Sequence, residues 1–154
     1  IINTDAEGRM ILADALSFAA AEKPDTMLAY ATLTGACVVA LGNTGAGLFT
    51  PDDQLAGELL GAAGNSGERL WRLPLWPEFA ADMKGTHADL RNQGSRWGGA
   101  SNAAAFLSSF VGDVKRWAHL DIAGPAYVGA DGDGSKGATG WGVATTIAWL
   151  KTLR

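Results

Sequence analysis

The sequence is poor in the residues that most often announce chemistry: its 154 positions hold one cysteine and two histidines. Cys37 has no second cysteine with which to close an internal disulfide. It stands in the apolar run Ala36-Cys37-Val38-Val39-Ala40, where a small buried thiol is expected rather than a reactive one. That usage suits a reducing compartment. His87 and His119 are far apart in the chain, and structural or hydrogen-bonding roles are expected of both. Long apolar runs are missing too. None approaches the roughly eighteen residues that cross a bilayer, and no basic stretch precedes the first hydrophobic residues as in a secretory leader. Positive charge is scarce: 12 lysines and arginines face 16 acids, a net charge of −4, so nucleic acid is not an expected partner.

What is present reads as a globular, loop-rich domain, with 47% hydrophobic residues, 18% charged residues and 21 glycines. The length suits one domain large enough to bury a core. Ile1 to Thr4 reads as the end of a buried strand. Because a natural domain seldom begins mid-strand, an upstream portion is expected. The apolar spacing of Met10, Ile11, Leu12, Ala15, Leu16, Phe18 and Ala19 predicts a helix over 9–22, stopped before Pro24. A buried strand over 26–31, a Thr/Gly turn over 32–35 and a strand near 47–49 follow. A helix is then expected from Pro51 through Leu60, with turns over 61–67. The stretch 68–99 resists assignment. A helix over 100–111, a strand over 116–122, a long loop over 124–140 and a helix over 141–153 complete the pass. Strands alternating with helices predict an α/β layered fold, with no internal repeat and no interdomain linker.

The stretch that carries chemistry is Asn3-Thr4-Asp5-Ala6-Glu7-Gly8-Arg9. If it is extended as it leaves a strand, Asp5, Glu7 and Arg9 project to one side. Two carboxylates and a guanidinium converging there suit divalent cations and an anionic species beside them. A plainer reading competes: Thr4-x-x-Glu7 matches a capping box, and acids near a helix start complement its dipole. Spacing alone favours the cap.

Residues 3–9 are identical to the signature of the leucyl aminopeptidase family of cytosolic metallopeptidases. Further segments resemble that family in its own order. They are Ala31-Thr32-Leu33-Thr34-Gly35-Ala36; Asp82-Met83-Lys84 with Ala88-Asp89-Leu90-Arg91-Asn92; Gly98-Gly99-Ala100 with Ala104-Ala105-Phe106-Leu107; Trp117 to Gly124; and Gly137-Ala138-Thr139-Gly140. The resemblance covers essentially the whole chain, as the C-terminal portion of the catalytic domain over residues 1–154. It implies part of a three-layer α/β/α domain with a mixed central sheet, peptide substrates, a cytoplasmic location and a homo-oligomer, typically a hexamer.

Residue by residue, the resemblance implies a metal ligand at Asp5 and a bridging metal ligand at Glu7, for two divalent ions, manganese or zinc. Arg9, with main-chain groups around Gly8, would hold a bicarbonate-like anion and steady the transition state. The Leu33 carbonyl would accept the substrate's peptide N–H, and Thr32, Gly35, Ala123 and Ala126 would line the pocket for its first side chain. The family draws two more aspartates and two lysines from sequence upstream of the signature. Lys84 and Lys136 lie in segments that the family keeps outside its metal cluster, so this chain by itself is expected to be inactive. A non-catalytic relative that keeps the fold is the competing expectation.

Other signals are set aside. Asp131-Gly132-Asp133-Gly134-Ser135 fails the calcium-loop pattern, with Lys136 at position six and Gly142 at position twelve. Gly42, Gly45 and Gly47 lack dinucleotide-loop spacing. The six tryptophans, at positions 71, 76, 97, 117, 141 and 149, are expected in the core or at subunit contacts.

Overall fold

The computed structural model describes residues 1–129 and 136–153. Its centre is a four-stranded sheet in the order β1-β4-β2-β3, formed by Met27–Ala31, Trp117–Asp121, Gly45–Phe49 and Arg69–Arg72. β1 runs parallel to β4, β2 runs parallel to β3, and β2 meets β4 antiparallel. The sheet is therefore mixed, as expected.

Side-chain alternation along the strands divides the core in two. Met27, Ala29 and Trp117 face a layer made by α1 (Gly8–Ala21) and α5 (Gly99–Ser108), against Ala13, Leu16, Phe106 and Leu107. The shorter α2 (Gly35–Leu41) and α4 (Pro77–Asp82) pack against α5 in this layer. On the other face Leu48, Ala118 and Leu120 meet α3 (Asp53–Ser66) and α6 (Val143–Leu150) through Leu55, Ala56, Leu59, Ala62 and Trp149. Helices thus cover both faces. Each fully buried leucine in this packing is worth about 1.5–3 kcal/mol of transfer free energy.

Several expectations hold and several are corrected. The expected helix over 9–22, the strands over 26–31 and 116–122 and the helix over 141–153 lie where expected, within one to three residues at most ends. Ile1 and Ile2 are instead exposed and outside any strand, and the N–H groups of Ile2 and Asn3 bond the Asn92 side chain. The third helix runs on to Ser66, past Gly61 and Gly64. Its N-terminus is capped by Asp52, whose side chain accepts the Leu55 N–H, and it stops at Gly67 in the left-handed conformation (φ 76°). Residues 35–41, given no element after the expected turn over 32–35, form a helix. Residues 127–128 and 137–138 pair as a short hairpin, β5 and β6, inside the expected loop. The rejected calcium-loop stretch 131–135 lies outside the described residues.

The tryptophans divide. Trp117 and Trp149 are buried, Trp141 is half-buried, and Trp71, Trp76 and Trp97 are exposed. His119 is fully buried in the central strand, stacked on Phe49 with Nδ1 3.2 Å from the Ala29 carbonyl oxygen, which is a structural role. No helix among the described residues is long and apolar enough to cross a membrane.

Candidate active site

A cleft of about 460 Å³ opens over the α1/α2/α5 layer. Asn3, Asp5, Ala6 and Arg9 form one wall, Leu33 to Ala36 a second, and Gln93 to Arg96 with Gly99 and Asn102 a third. The second wall lies at the carboxyl end of β1, where it runs beside β4. That is where open α/β sheets place their ligands, because the connecting loops diverge there.

The first wall is built around a turn rather than an extended segment. Thr4 and Asp5 form the turn, the Asp5 N–H bonds the Asn3 side chain at 2.9 Å, and the helix begins at Gly8 with Glu7 as its N-cap. The Glu7 side chain makes no capping bond, so the capping-box reading fails. The turn places Asp5 and Arg9 on the cleft, while Glu7 stands exposed at the helix start. Neither carboxylate has an ion-pair partner or a side-chain hydrogen bond among the described residues.

Arg9 is held differently. One Nη donates to the Asn92 carbonyl at 2.9 Å, and the buried Nε has no partner. Burial pushes its pKa down from the ordinary arginine value, and the Asp121 carboxylate opposes that shift. A half-buried guanidinium with an unused donor is an anion-seeking group, because a buried unpaired donor is costly.

Asp121 organises the second wall. It is fully buried at the end of β4. Its Oδ1 accepts from the N–H groups of Leu33 (3.1 Å), Thr34 (3.4 Å) and Ala123 (3.2 Å), and its Oδ2 accepts the Thr34 hydroxyl at 2.7 Å. Thr34 in turn caps α2 by accepting the Cys37 N–H at 3.0 Å. The loop bearing Leu33 is thus held by one carboxylate from the neighbouring strand. Asp82 does comparable work on the third wall, accepting from the Ser95 N–H and pairing with Arg91 at 2.9 Å.

The sequence-predicted residues are therefore partly gathered. Asp5, Arg9, Leu33 and Gly35 line the cleft. Gly8 begins α1, and a Cβ placed there would lie 3.8 Å from Leu33 Cδ1. Thr32 and Ala123 lie just past β1 and β4, whose last residues Ala31 and Asp121 are register partners, but they are not among the lining residues. Ala126 is tied instead to the base of the β5–β6 hairpin, its carbonyl accepting the Thr139 N–H at 3.0 Å. Asp121, Asn92, Asp82 and Asn102 went unassigned in the sequence. Asp82, Asn92 and Asp121 stand inside segments that resemble the family, but neither spacing nor periodicity marks a role for them.

Carboxylate oxygens are suitable donors for hard divalent cations. Among the described residues, however, no three His, Cys, Asp or Glu side chains are grouped to enclose one. Asp5 and Glu7 fit as part of a metal shell and not as the whole of it.

A layered α/β domain with a polar cleft at the carboxyl end of a parallel strand pair, lined by the unpartnered Asp5 carboxylate and a half-buried arginine, has the form of an enzyme's catalytic domain. Comparison with known proteins specifies which: the chain belongs to the cytosol aminopeptidase family, whose catalytic-domain model matches residues 1–147. It is 51% identical over 153 residues to a probable cytosol aminopeptidase of Chloroherpeton thalassium and 53% identical over 149 residues to one of Trichodesmium erythraeum. These matches cover 99% and 96% of the chain, which spans 30% of the length of either relative. Among solved structures it resembles a mutant tomato leucine aminopeptidase (TM-score 0.90, 47% identity, 97% of this chain and 29% of that one). It also resembles the bottromycin maturation enzyme BotP in complex with Mn (TM-score 0.88, 42% identity, 96% of this chain and 34% of that one).

Proposed function

We propose that this region supplies one side of the active site of a two-metal aminopeptidase, and that the remaining metal ligands and lysines come from the portion of the catalytic domain preceding it. The observation that carries the reading is the Asn3–Arg9 turn. It presents the Asp5 carboxylate and a half-buried guanidinium with an unused buried donor at one cleft, with the unpartnered Glu7 carboxylate exposed at the adjoining helix start, in a chain of this family. Asp5 and Glu7 would be the carboxylates that this region gives to the metal ions. When bound, two divalent ions (manganese or zinc) polarise the scissile carbonyl and activate water. Arg9 and the main chain around Gly8 hold a bicarbonate-like anion beside the reaction centre, where a proton acceptor is required. The Leu33 carbonyl accepts the substrate's peptide N–H; its loop is fixed by Asp121, so the substrate is oriented at little entropic cost. Thr32, Gly35, Ala123 and Ala126 surround the first side chain of the peptide, the small Ala126 leaving room.

The working protein is a cytoplasmic homo-oligomer, hexameric as in its family. Its partial donor set supports the reading that this region by itself is inactive. The test is hydrolysis of a leucyl anilide by this region assembled with the preceding portion and supplied with manganese. Activity lost on Glu7→Ala or Arg9→Ala supports the reading. A metal-loaded assembly without activity would favour a non-catalytic relative.

A further inference from the structure

We infer that Asn92, which bears no catalytic group of its own, is the positioning residue that sets the geometry of the metal-carboxylate turn. The inference rests on the function proposed above.

Asn92 lies in the connection between α4 and α5, 83 to 90 residues from its partners in the chain, and its side chain is buried. Its Oδ1 accepts from the Ile2 N–H at 2.9 Å and the Asn3 N–H at 3.3 Å. Its Nδ2 donates to the Asn3 carbonyl at 2.6 Å and to the Ala6 carbonyl at 3.4 Å. Its own carbonyl accepts from Arg9 Nη1 at 2.9 Å. One residue thus grips the main chain on both sides of Asp5 and also the guanidinium that closes the segment.

The chemistry narrows what can fill this place. Two N–H donors and two carbonyl acceptors face one planar group, so a carboxamide satisfies all four. A carboxylate would set an oxygen against the Asn3 and Ala6 carbonyls, and an aliphatic side chain would leave four buried main-chain groups unpaired. Asn92 is itself held firmly. The Arg91 N–H bonds the Met83 carbonyl at 2.9 Å, and the Arg91 guanidinium clamps the Asp82 carbonyl through two bonds of 2.7 and 2.9 Å. Lys84 and Leu90 form a bridge across the base of the same loop. The grip runs from a braced loop to a turn otherwise stiffened locally by the single Asn3–Asp5 bond.

The test compares Asn92→Asp with Thr145→Ala in the metal-loaded assembly. Thr145 is equally buried but sits on the opposite face of the sheet, bonded to Glu68. Three quantities are read: manganese affinity by titration, kcat and KM on a leucyl anilide. For Asn92→Asp the manganese affinity should fall about 10- to 100-fold, as for other residues that orient metal ligands, with kcat falling alongside and KM within about twofold. Thr145→Ala should lose thermal stability and leave all three unchanged. Manganese affinity and kcat within about threefold of wild type in folded Asn92→Asp would overturn the inference, as would an equal loss in Thr145→Ala. If Asn92→Asp does not fold, Asn92→Ser carries the same test and threshold, because a hydroxyl cannot reach both sides of the turn. Glu7→Ala run alongside separates the two claims. If it leaves manganese affinity intact, the proposed function itself fails. If it abolishes binding while Asn92→Asp binds normally, only the positioning role fails.

Discussion

Asp121 accepts the Thr34 hydroxyl at 2.7 Å, and both residues are buried where the loops after β4 and β1 leave the sheet. The carboxylate has no cation in ion-pair contact among the described residues; three main-chain N–H groups and the hydroxyl satisfy it instead. Asp121→Ala strands these donors, and unsatisfied buried donors cost about 1–3 kcal/mol each before relaxation. A net loss on the order of 2–4 kcal/mol is expected by urea unfolding, and a smaller one for Asp121→Asn, which keeps one acceptor oxygen. A native-like midpoint for Asp121→Ala would show that water replaces the carboxylate at no cost.

A second expectation concerns Cys37 on the buried side of α2. Burial pushes its thiol up to about 11, the Asp121 carboxylate adds to the shift, and a main-chain bond with Gly47 opposes it. The folded value lies above the ordinary 9.0, so the stabilising contribution is complete below pH 9 and is lost as pH rises toward 11. At pH 8 the thiolate fraction falls about a hundredfold against a free thiol, so iodoacetamide should label Cys37 only as the protein unfolds. Rapid labelling of the folded protein would contradict the buried, inert assignment.

His119 gives the opposite pH response. Burial pushes its pKa below the ordinary 6.5, against the weaker raising effects of Asp121 and the Ala29 carbonyl. The unfolded chain then takes up a proton that the folded one refuses. The contribution is present above pH 6.5 and is lost as pH falls below it. Urea unfolding between pH 7.5 and 5.5 should show stability declining with acid, and His119→Gln should flatten part of that decline. An unchanged slope in the variant would assign the acid sensitivity elsewhere.

Much of the frame is legible in the sequence because periodic apolar residues produce it. The Met10–Ala19 spacing writes α1, and the runs at 27–31 and 117–121 write the parallel pair. The elements that escape are fixed by contacts the sequence does not display. α2 spans seven residues with two adjacent valines, and it is a helix because Thr34 caps it while Asp121 holds Thr34. β3 has alternating exposure at a sheet edge, so its hydrophobic signal is thin. The site divides in the same way. Asp5, Glu7 and Arg9 stand in a seven-residue signature, whereas Asn92 and Asp121, though inside family-like segments, act through main-chain bonds that span 83 to 90 residues, which the local sequence does not display.

Counting metal ions tests the central claim most directly. The region is equilibrated with manganese, alone and assembled with the preceding portion of its catalytic domain, and the bound metal is measured by elemental analysis. The account predicts sub-stoichiometric metal on the region alone, two ions per subunit in the assembly, and loss of metal on Glu7→Ala. Two tightly held ions on this region by itself, or an assembly whose metal content ignores Glu7→Ala, would contradict it.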